Sequence, residues 1–389
     1  MRDIYLDSAS TAKHNEIDDV IIDTITSAMR EYWMNPSSLY ATHIKDNINR
    51  CRSNIAKFIN AKTNEIYFTS GASESNNWAI QGFINNCWKL GEYPIVITSS
   101  IEHKSILDCV KNSSSKYYFV NVDSNGMINF DDLENALMKA VKFGKESYSG
   151  YSILVSIQLA NNEIGTCQNI KMLSDISHEY GAIFHSDATQ AFAHIPIDVD
   201  KLGIDMLSAS GHKISSVLRG VGFLYKKNNI NIEPLIYGAQ ENNMRGGTEN
   251  TYGIIGLNKA LEYSNISNEK IEEMIDKRNY FINLLESRFK CKLNGDLDYR
   301  LPNNINVTFP NIMGESLLYA LEISNIFVST GSACNSNSIV PSGVLKAIGL
   351  SDEDVMKTIR ITLSEDITYE EIKNVINEIN KIIMIHIFD

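Results

Sequence analysis

A lysine placed to attack a carbonyl is the first chemical feature of this chain. The run Ser208-Ala209-Ser210-Gly211-His212-Lys213-Ile214 sets Lys213 behind a serine, a glycine and a histidine, just after the apolar stretch Ile204-Asp205-Met206-Leu207. An amine becomes a nucleophile when desolvation or a neighbouring cation lowers its pKa. The hydroxyl of Ser210, the backbone amides and the imidazole of His212 are groups that bind phosphate. An aldehyde that also carries a phosphate is pyridoxal 5'-phosphate, so Lys213 is a candidate Schiff-base residue. Such a site needs an acid on the pyridinium nitrogen to keep the ring an electron sink. Asp187, in His185-Ser186-Asp187-Ala188-Thr189-Gln190, is the candidate. An ordinary surface lysine is the competing reading of Lys213.

The elements that would hold these residues follow from periodicity. Apolar residues at helical spacing (Val20, Ile21, Ile25, Met29) predict a helix over residues 18–33, ended by Asn35-Pro36-Ser37-Ser38, and a second helix is expected over 44–59. Residues 65–70 read as a strand running into Gly71-Ala72-Ser73-Glu74-Ser75-Asn76, expected as a turn that opens a helix over 77–90. Free amides and the Ser73 hydroxyl would then sit at a helix N-terminus, where the dipole favours an anion. A plain cap by Ser73 or Ser75 uses the same residues. Further strands are expected at 94–99, 117–122, 153–157, 182–185, 206–209 and 222–225, mostly with helical segments between them. Alternation of this kind implies an α/β domain with a largely parallel sheet whose active groups gather at strand ends. Glu102-His103-Lys104, Asn161-Asn162-Glu163 and Asp187 all follow such strands.

Composition narrows the partners. A chain of 389 residues is long enough for two or three domains and a large core. A net charge of −12 argues against a broad nucleic-acid surface, which calls for excess Lys and Arg, and favours small-molecule chemistry. The six cysteines (Cys51, Cys87, Cys109, Cys167, Cys291, Cys334) are scattered and form no C-x-x-C pair, as expected of reduced thiols rather than a disulfide framework. The N-terminus lacks the apolar core of a signal peptide, and no apolar run is long enough to span a bilayer, so a cytoplasmic location is expected.

From about residue 254 the pattern changes. Long helices are expected over 254–265 and 271–289, short strands at 305–309 and 359–363, and a final helix from 369 onward, together a second, smaller α+β domain. One segment there is small and polar, Val328-Ser329-Thr330-Gly331-Ser332-Ala333-Cys334-Asn335-Ser336-Asn337-Ser338-Ile339-Val340-Pro341. A cysteine in such a loop is a candidate nucleophile, the thiolate being its reactive form, or an incidental free thiol. Beside a pyridoxal site, a nucleophilic cysteine points to sulfur chemistry.

Nine ordered segments carry a resemblance. They are Tyr5-Leu6-Asp7, Asn35-Pro36-Ser37-Ser38, Thr69-Ser70-Gly71-Ala72-Ser73-Glu74-Ser75, Glu102-His103-Lys104, Asn161-Asn162-Glu163-Ile164-Gly165, Asp187-Ala188-Thr189-Gln190, Ser210-Gly211-His212-Lys213, Met244-Arg245-Gly246-Gly247-Thr248 and Gly331-Ser332-Ala333-Cys334. Along nearly its whole length the chain resembles the cysteine desulfurases of the class V aminotransferase superfamily, in the group with a long catalytic loop. The resemblance implies the type I fold of pyridoxal-phosphate transferases, with a large domain over 13–253 and a small one from 1–12 and 254–389. It implies that Lys213 bonds the cofactor and then moves the substrate α-proton, that Asp187 holds the pyridinium proton, and that Gln190 bonds the ring oxygen. His103 would stack on the ring and transfer protons. Ala72, Ser73, Ser210 and His212 would bind the phosphate, with Thr248 reaching in from the partner of a homodimer. Asn162 and Arg360 would hold the substrate carboxylate, Arg360 through a bidentate pair that lysine cannot copy. Cys334 would take sulfur from L-cysteine as a persulfide, leaving L-alanine, and pass it to an acceptor protein in iron-sulfur assembly, tRNA thiolation or DNA sulfur modification.

The chain departs from that family's pattern in places. Where a tight Gly-Pro-Lys-Gly turn usually follows the lysine, Ser215-Ser216-Val217-Leu218-Arg219-Gly220 stands, one residue longer. The glycine-rich run before Gln240-Glu241 is reduced to Tyr237-Gly238-Ala239, and Ser364-Glu365-Asp366 replaces a common Gly-Arg pair. Two alternatives stay open on sequence alone: a related pyridoxal enzyme such as a selenocysteine lyase or an aminotransferase, with Cys334 incidental, and a non-catalytic sulfur-relay scaffold.

Overall fold

The computed structural model describes residues 3–264, 266–330 and 341–388. Its larger core is built on a seven-stranded sheet in the order Ile66–Thr69, Gly222–Lys226, Met206–Ser210, Ile183–Asp187, Tyr151–Ser156, Tyr93–Ser99, Lys116–Val120. The pairings from Lys116–Val120 across to Met206–Ser210 are parallel, while Gly222–Lys226 runs antiparallel to both its neighbours. The central strands read as unbroken apolar runs because helices cover both faces of the sheet. Alternation divides their side chains between two cores. Ile95, Ile97, Ile153, Val155 and Phe184 face one, and Val96, Leu154 and Leu224 join Trp78 and Phe83 in the other.

Trp78 and Phe83 belong to the helix Ala72–Leu90, which corrects one expectation. The helix begins at Ala72, and the polar run Ser73-Glu74-Ser75-Asn76, expected as a turn, forms its first turns. Ser75 and Asn76 are fully buried. They read as turn residues because their partners are remote or lie before the helix: Ser75 Oγ meets Thr69 Oγ1 at 2.8 Å, and Asn76 Nδ2 donates to Asp187 Oδ2 at 2.8 Å. Gly71 alone makes the turn, at φ +151°, a conformation that L side chains rarely adopt. Most other strands and helices with expected bounds lie close to them, while Lys292–Leu293, Gly314–Ile323, Ile326–Phe327 and Ser329–Thr330 were not expected.

A second core gathers Ile4 and Leu6 with Phe281, Ile305, Val307, Ile359, Ile361 and Ile372. Its sheet orders Ser329–Thr330, Thr358–Thr362, Asn304–Thr308 and Lys292–Leu293, all antiparallel. The N-terminal strand Ile4–Tyr5 lies beside Ile326–Phe327 in parallel. The helix Thr251–Tyr263 buries Ile254, Leu257 and Ala260 in the larger core. Residues 7–12 cross from the second core to the first, where the Ala12 amide donates to the His212 carbonyl at 3.0 Å.

Candidate active site

Parallel strands that share a direction end on a common edge, and loops from that edge converge. Register sets Asp187 beside Ser208 on neighbouring strands, so Asp187 and the Ser210–Lys213 turn leave the sheet together. A cavity of about 590 Å³ opens there, lined among others by Ser73, His103, Asn162, Asp187, Lys213 and Arg360. Ala72, Gln190, Ser210 and His212 also line it. Thr248 does not; it lies in an adjoining depression with Ser70, Gly220 and Arg245. Cys334 lies outside the described residues.

Lys213 is held by the N-terminal segment. Its Nζ donates to the Ala9 and Ser10 carbonyls at 2.7 and 2.8 Å. Gln190 Nε2 donates to the same Ala9 carbonyl at 3.0 Å. The Asp187 carboxylate accepts from Asn76, from the Thr189 amide at 2.9 Å and from the Thr189 hydroxyl. The other Asn76 amide hydrogen goes to Ser105 Oγ at 2.9 Å. Ser105 in turn lies 2.8 Å from His103 Nδ1, which also accepts the Ser105 backbone N–H at 3.1 Å. An acceptor role at Nδ1 leaves the neutral ring its proton on Nε2. Although its ring is open to the cavity, the surrounding protein lowers the His103 pKa; burial acts first, Lys213 and Lys104 add to it, and Asp187 opposes it.

Three features fit a phosphorylated ring. Among the described residues, no side chain caps the helix Ala72–Leu90, so its first-turn amides are available where Gly71, Ala72 and Ser73 line the cavity. A Cβ on Gly71 would meet Ser210 Oγ at 3.3 Å, so glycine keeps that cradle open. His212, whose Nδ1 lies 2.8 Å from Ser210 Oγ, is pushed down to about 4, mainly by burial and then by Lys213 and Arg219.

Arg360 also lines the cavity and is almost fully buried. Its Nη1 donates to the Asn162 carbonyl at 3.1 Å, and its Nη2 to Asp7 Oδ1 at 2.6 Å and Ser10 Oγ at 2.7 Å. Its Nε is buried with no partner among the described residues. A guanidinium in a cavity wall is a charged donor suited to a carboxylate.

Both described flanks of residues 331–340 are tied beside this cavity. Ser329 pairs in register with Arg360. Ser342 caps the helix Gly343–Ala347 and donates its hydroxyl to Glu163, next to Asn162. Burial pushes the Glu163 carboxyl up to about 7, against the Ser342 hydrogen bond and the charges of Arg360 and Lys104. The five described cysteines lie elsewhere than this cavity. Burial raises the thiol pKa of each, to about 11 for Cys51 and about 12 for Cys87, Cys167 and Cys291.

Sequence reasoning missed Asp7, Ala9, Ser10 and Asn76 as residues of this site. Asp7 and Asn76 stood within or beside recognised motifs, but Ala9 and Ser10 act on Lys213 through carbonyls that any residue has. The loop after Lys213 leaves the lysine in the cavity wall.

A model of the family described as aminotransferase class-V matches residues 4–375. The chain is 41% identical to cysteine desulfurase IscS of Dictyoglomus turgidum over 98% of its own length and 95% of that protein's. The structure matches a solved NifS-like protein with TM-score 0.87 at 30% identity, covering 99% of this chain and 100% of that one. It matches a structure described as SspA in complex with cysteine with TM-score 0.77 at 33% identity, covering 93% and 99%. With these matches spanning both cores and the cavity between them, the chain belongs to the class V aminotransferase family, among its cysteine desulfurases.

Proposed function

We propose that this cavity binds pyridoxal phosphate and takes sulfur from L-cysteine, releasing L-alanine and leaving a persulfide on Cys334 that passes to an acceptor thiol. The observation that carries this reading is the convergence of Lys213, Asp187, His103 and Arg360 on one cavity lined also by an uncapped helix N-terminus. Pyridoxal phosphate, when bound, would supply an electron sink that makes the substrate α-proton removable and its β-carbon a leaving group.

The residues divide the remaining work. Lys213, held by the Ala9 and Ser10 carbonyls, would hold the cofactor aldehyde and would move the substrate α-proton. Asp187, fixed by Asn76 and Thr189, holds the pyridinium proton. Gln190 would bond the ring oxygen, and Ala72, Ser73, Ser210 and His212 would hold the phosphate, with Thr248 of a second copy completing the cup. His103 would lie against the cofactor and offer Nε2 for proton transfer. Asn162 and Arg360 orient the substrate carboxylate.

Cys334 then attacks the substrate sulfur: a new S–S bond forms, the Cβ–S bond breaks, and its electron pair stays on the β-carbon, which is protonated to the methyl of alanine. The tied flanks at Ser329 and Ser342 support a role for the intervening cysteine at this site, as does the inert setting of the five described thiols. A likeness to SspA in complex with cysteine supports the substrate. Among the described residues no helix is long and apolar enough to cross a membrane, and no cluster of ligating side chains could hold a metal. We place the enzyme in the cytoplasm as a homodimer serving a sulfur-acceptor protein.

The test is a paired assay of wild type and Cys334→Ala. Both proteins should be yellow with bound cofactor, and only wild type should release alanine and sulfide from L-cysteine in the presence of a reducing thiol. A colourless wild type, or a variant as active as wild type, overturns the reading.

A further inference from the structure

The loop that departs from the family pattern, residues 215–220, is firmly built. Ser215 and Ser216 donate to the two carboxylate oxygens of Asp18, which is buried and completes the capping box of the helix Glu16–Glu31. Leu218 is 1% exposed. It packs where Gly211 and Gly256 have no side chain; a Cβ there would meet Leu218 atoms at 3.0 and 2.7 Å. Gly220 takes φ +74° and its carbonyl accepts from Asn250 Nδ2 at 2.9 Å.

Between these anchored neighbours stands Arg219, exposed on the cavity wall with Ser73, Ser210 and His212. Among the described residues its guanidinium makes no hydrogen bond and no ion pair. Its charge nevertheless reaches the site: it adds to the burial and Lys213 charge that lower the His212 pKa, and slightly opposes the rise that burial gives Tyr5. A cation without a counter-ion, on a short loop held at both ends, is a built-in partner for an anion.

The anion is suggested by what surrounds it. The expected phosphate ligands are neutral donors: helix amides, the Ser73 and Ser210 hydroxyls, and a histidine held in its neutral form. Lys213 is committed to the aldehyde, and Arg360 is paired with Asp7. A phosphate dianion in such a cup lacks a formal positive charge. We propose that Arg219 is a further ligand of the cofactor phosphate, supplying the cation that the neutral cup lacks. This rests on the reading that the cavity takes pyridoxal phosphate.

The experiment titrates apoprotein with pyridoxal 5'-phosphate and, separately, with pyridoxal, which lacks the phosphate, following cofactor absorbance for wild type, Arg219→Gln and Arg219→Lys. For Arg219→Gln the affinity for pyridoxal 5'-phosphate should fall about tenfold, the lower end for a charge-assisted bond because the side chain is exposed. Pyridoxal affinity should be unchanged, and Arg219→Lys should lie between. Added inorganic phosphate should compete with the cofactor more strongly in wild type than in Arg219→Gln. Equal pyridoxal 5'-phosphate affinity in wild type and Arg219→Gln, or an equal loss for pyridoxal, overturns the assignment. Wild-type apoprotein that takes up no pyridoxal 5'-phosphate at all refutes the cofactor reading itself, a distinguishable result.

Discussion

Replacing Arg360 with lysine keeps a charge but removes N–H donors, which tests its proposed hold on the substrate carboxylate. A guanidinium has five N–H groups, and three are engaged, on the Asn162 carbonyl, Asp7 and Ser10. The Nε–H, which is buried, and one Nη1–H are left; they point away from each other, so an incoming carboxylate can take one of them. An ammonium has three N–H groups, all of which those same acceptors would consume. Arg360→Lys therefore forfeits one charge-assisted bond. At about 1.5 kcal/mol, the low end of the range because the variant retains its charge, the loss is roughly tenfold in kcat/KM. Since ground state and transition state both carry the carboxylate, the loss should fall chiefly on KM. The assay is steady-state sulfide release from L-cysteine and from cysteamine, which has no carboxylate. Wild type should prefer cysteine strongly, and the variant should lose that preference while turning over cysteamine as before. A loss below about fivefold on cysteine, or an equal loss on both substrates, would refute the donor count.

Glu102 offers a stability test. Its carboxyl is fully buried on Ser99 and the Gln158 amide, and burial, aided by Asp187, pushes it up to about 8. The folded protein thus binds this proton more tightly than the unfolded chain. The contribution is full below the ordinary carboxyl range and is lost as pH rises toward about 8, with a ceiling of roughly 5 kcal/mol. Glu102→Gln should show a smaller drop in thermal midpoint than wild type between about pH 5 and about pH 8, and an unchanged drop would count against the buried proton. Leu218→Ala should destabilise the larger domain by about 2–4 kcal/mol, read as an earlier unfolding transition, because the cavity is walled by the backbone of Gly211 and Gly256. A shift no larger than that of an exposed substitution would mean the loop is loosely seated.

Much of this architecture was legible because the signals were local. Apolar runs such as Ile95-Val96-Ile97 and Ile153-Leu154-Val155 announce buried parallel strands, and polar residues just beyond them announce a site. What escaped was of two kinds. Ser75 and Asn76 read as turn residues, since nothing nearby reveals that Asp187, more than a hundred positions away, needs an amide donor inside a helix. The short strands Ile326–Phe327 and Ser329–Thr330 escaped because two residues show no period; pairing with Ile4–Tyr5 and Thr358–Thr362 defines them. Ala9 and Ser10 escaped because a carbonyl oxygen has no sequence signature.

The crossing of residues 7–12 between the two cores also has a consequence for the order of assembly. Asp7 meets Arg360 across 353 positions, and Ala9 meets Lys213 across 204. Closing loops of that length is slow compared with forming the local α/β units. During synthesis the first residues emerge with nothing to bind, and the strand Ile326–Phe327 that will flank them is made near the end. A growing chain can therefore complete its larger core while the Arg360 side of the candidate site is still absent, so the site closes only when both cores have formed.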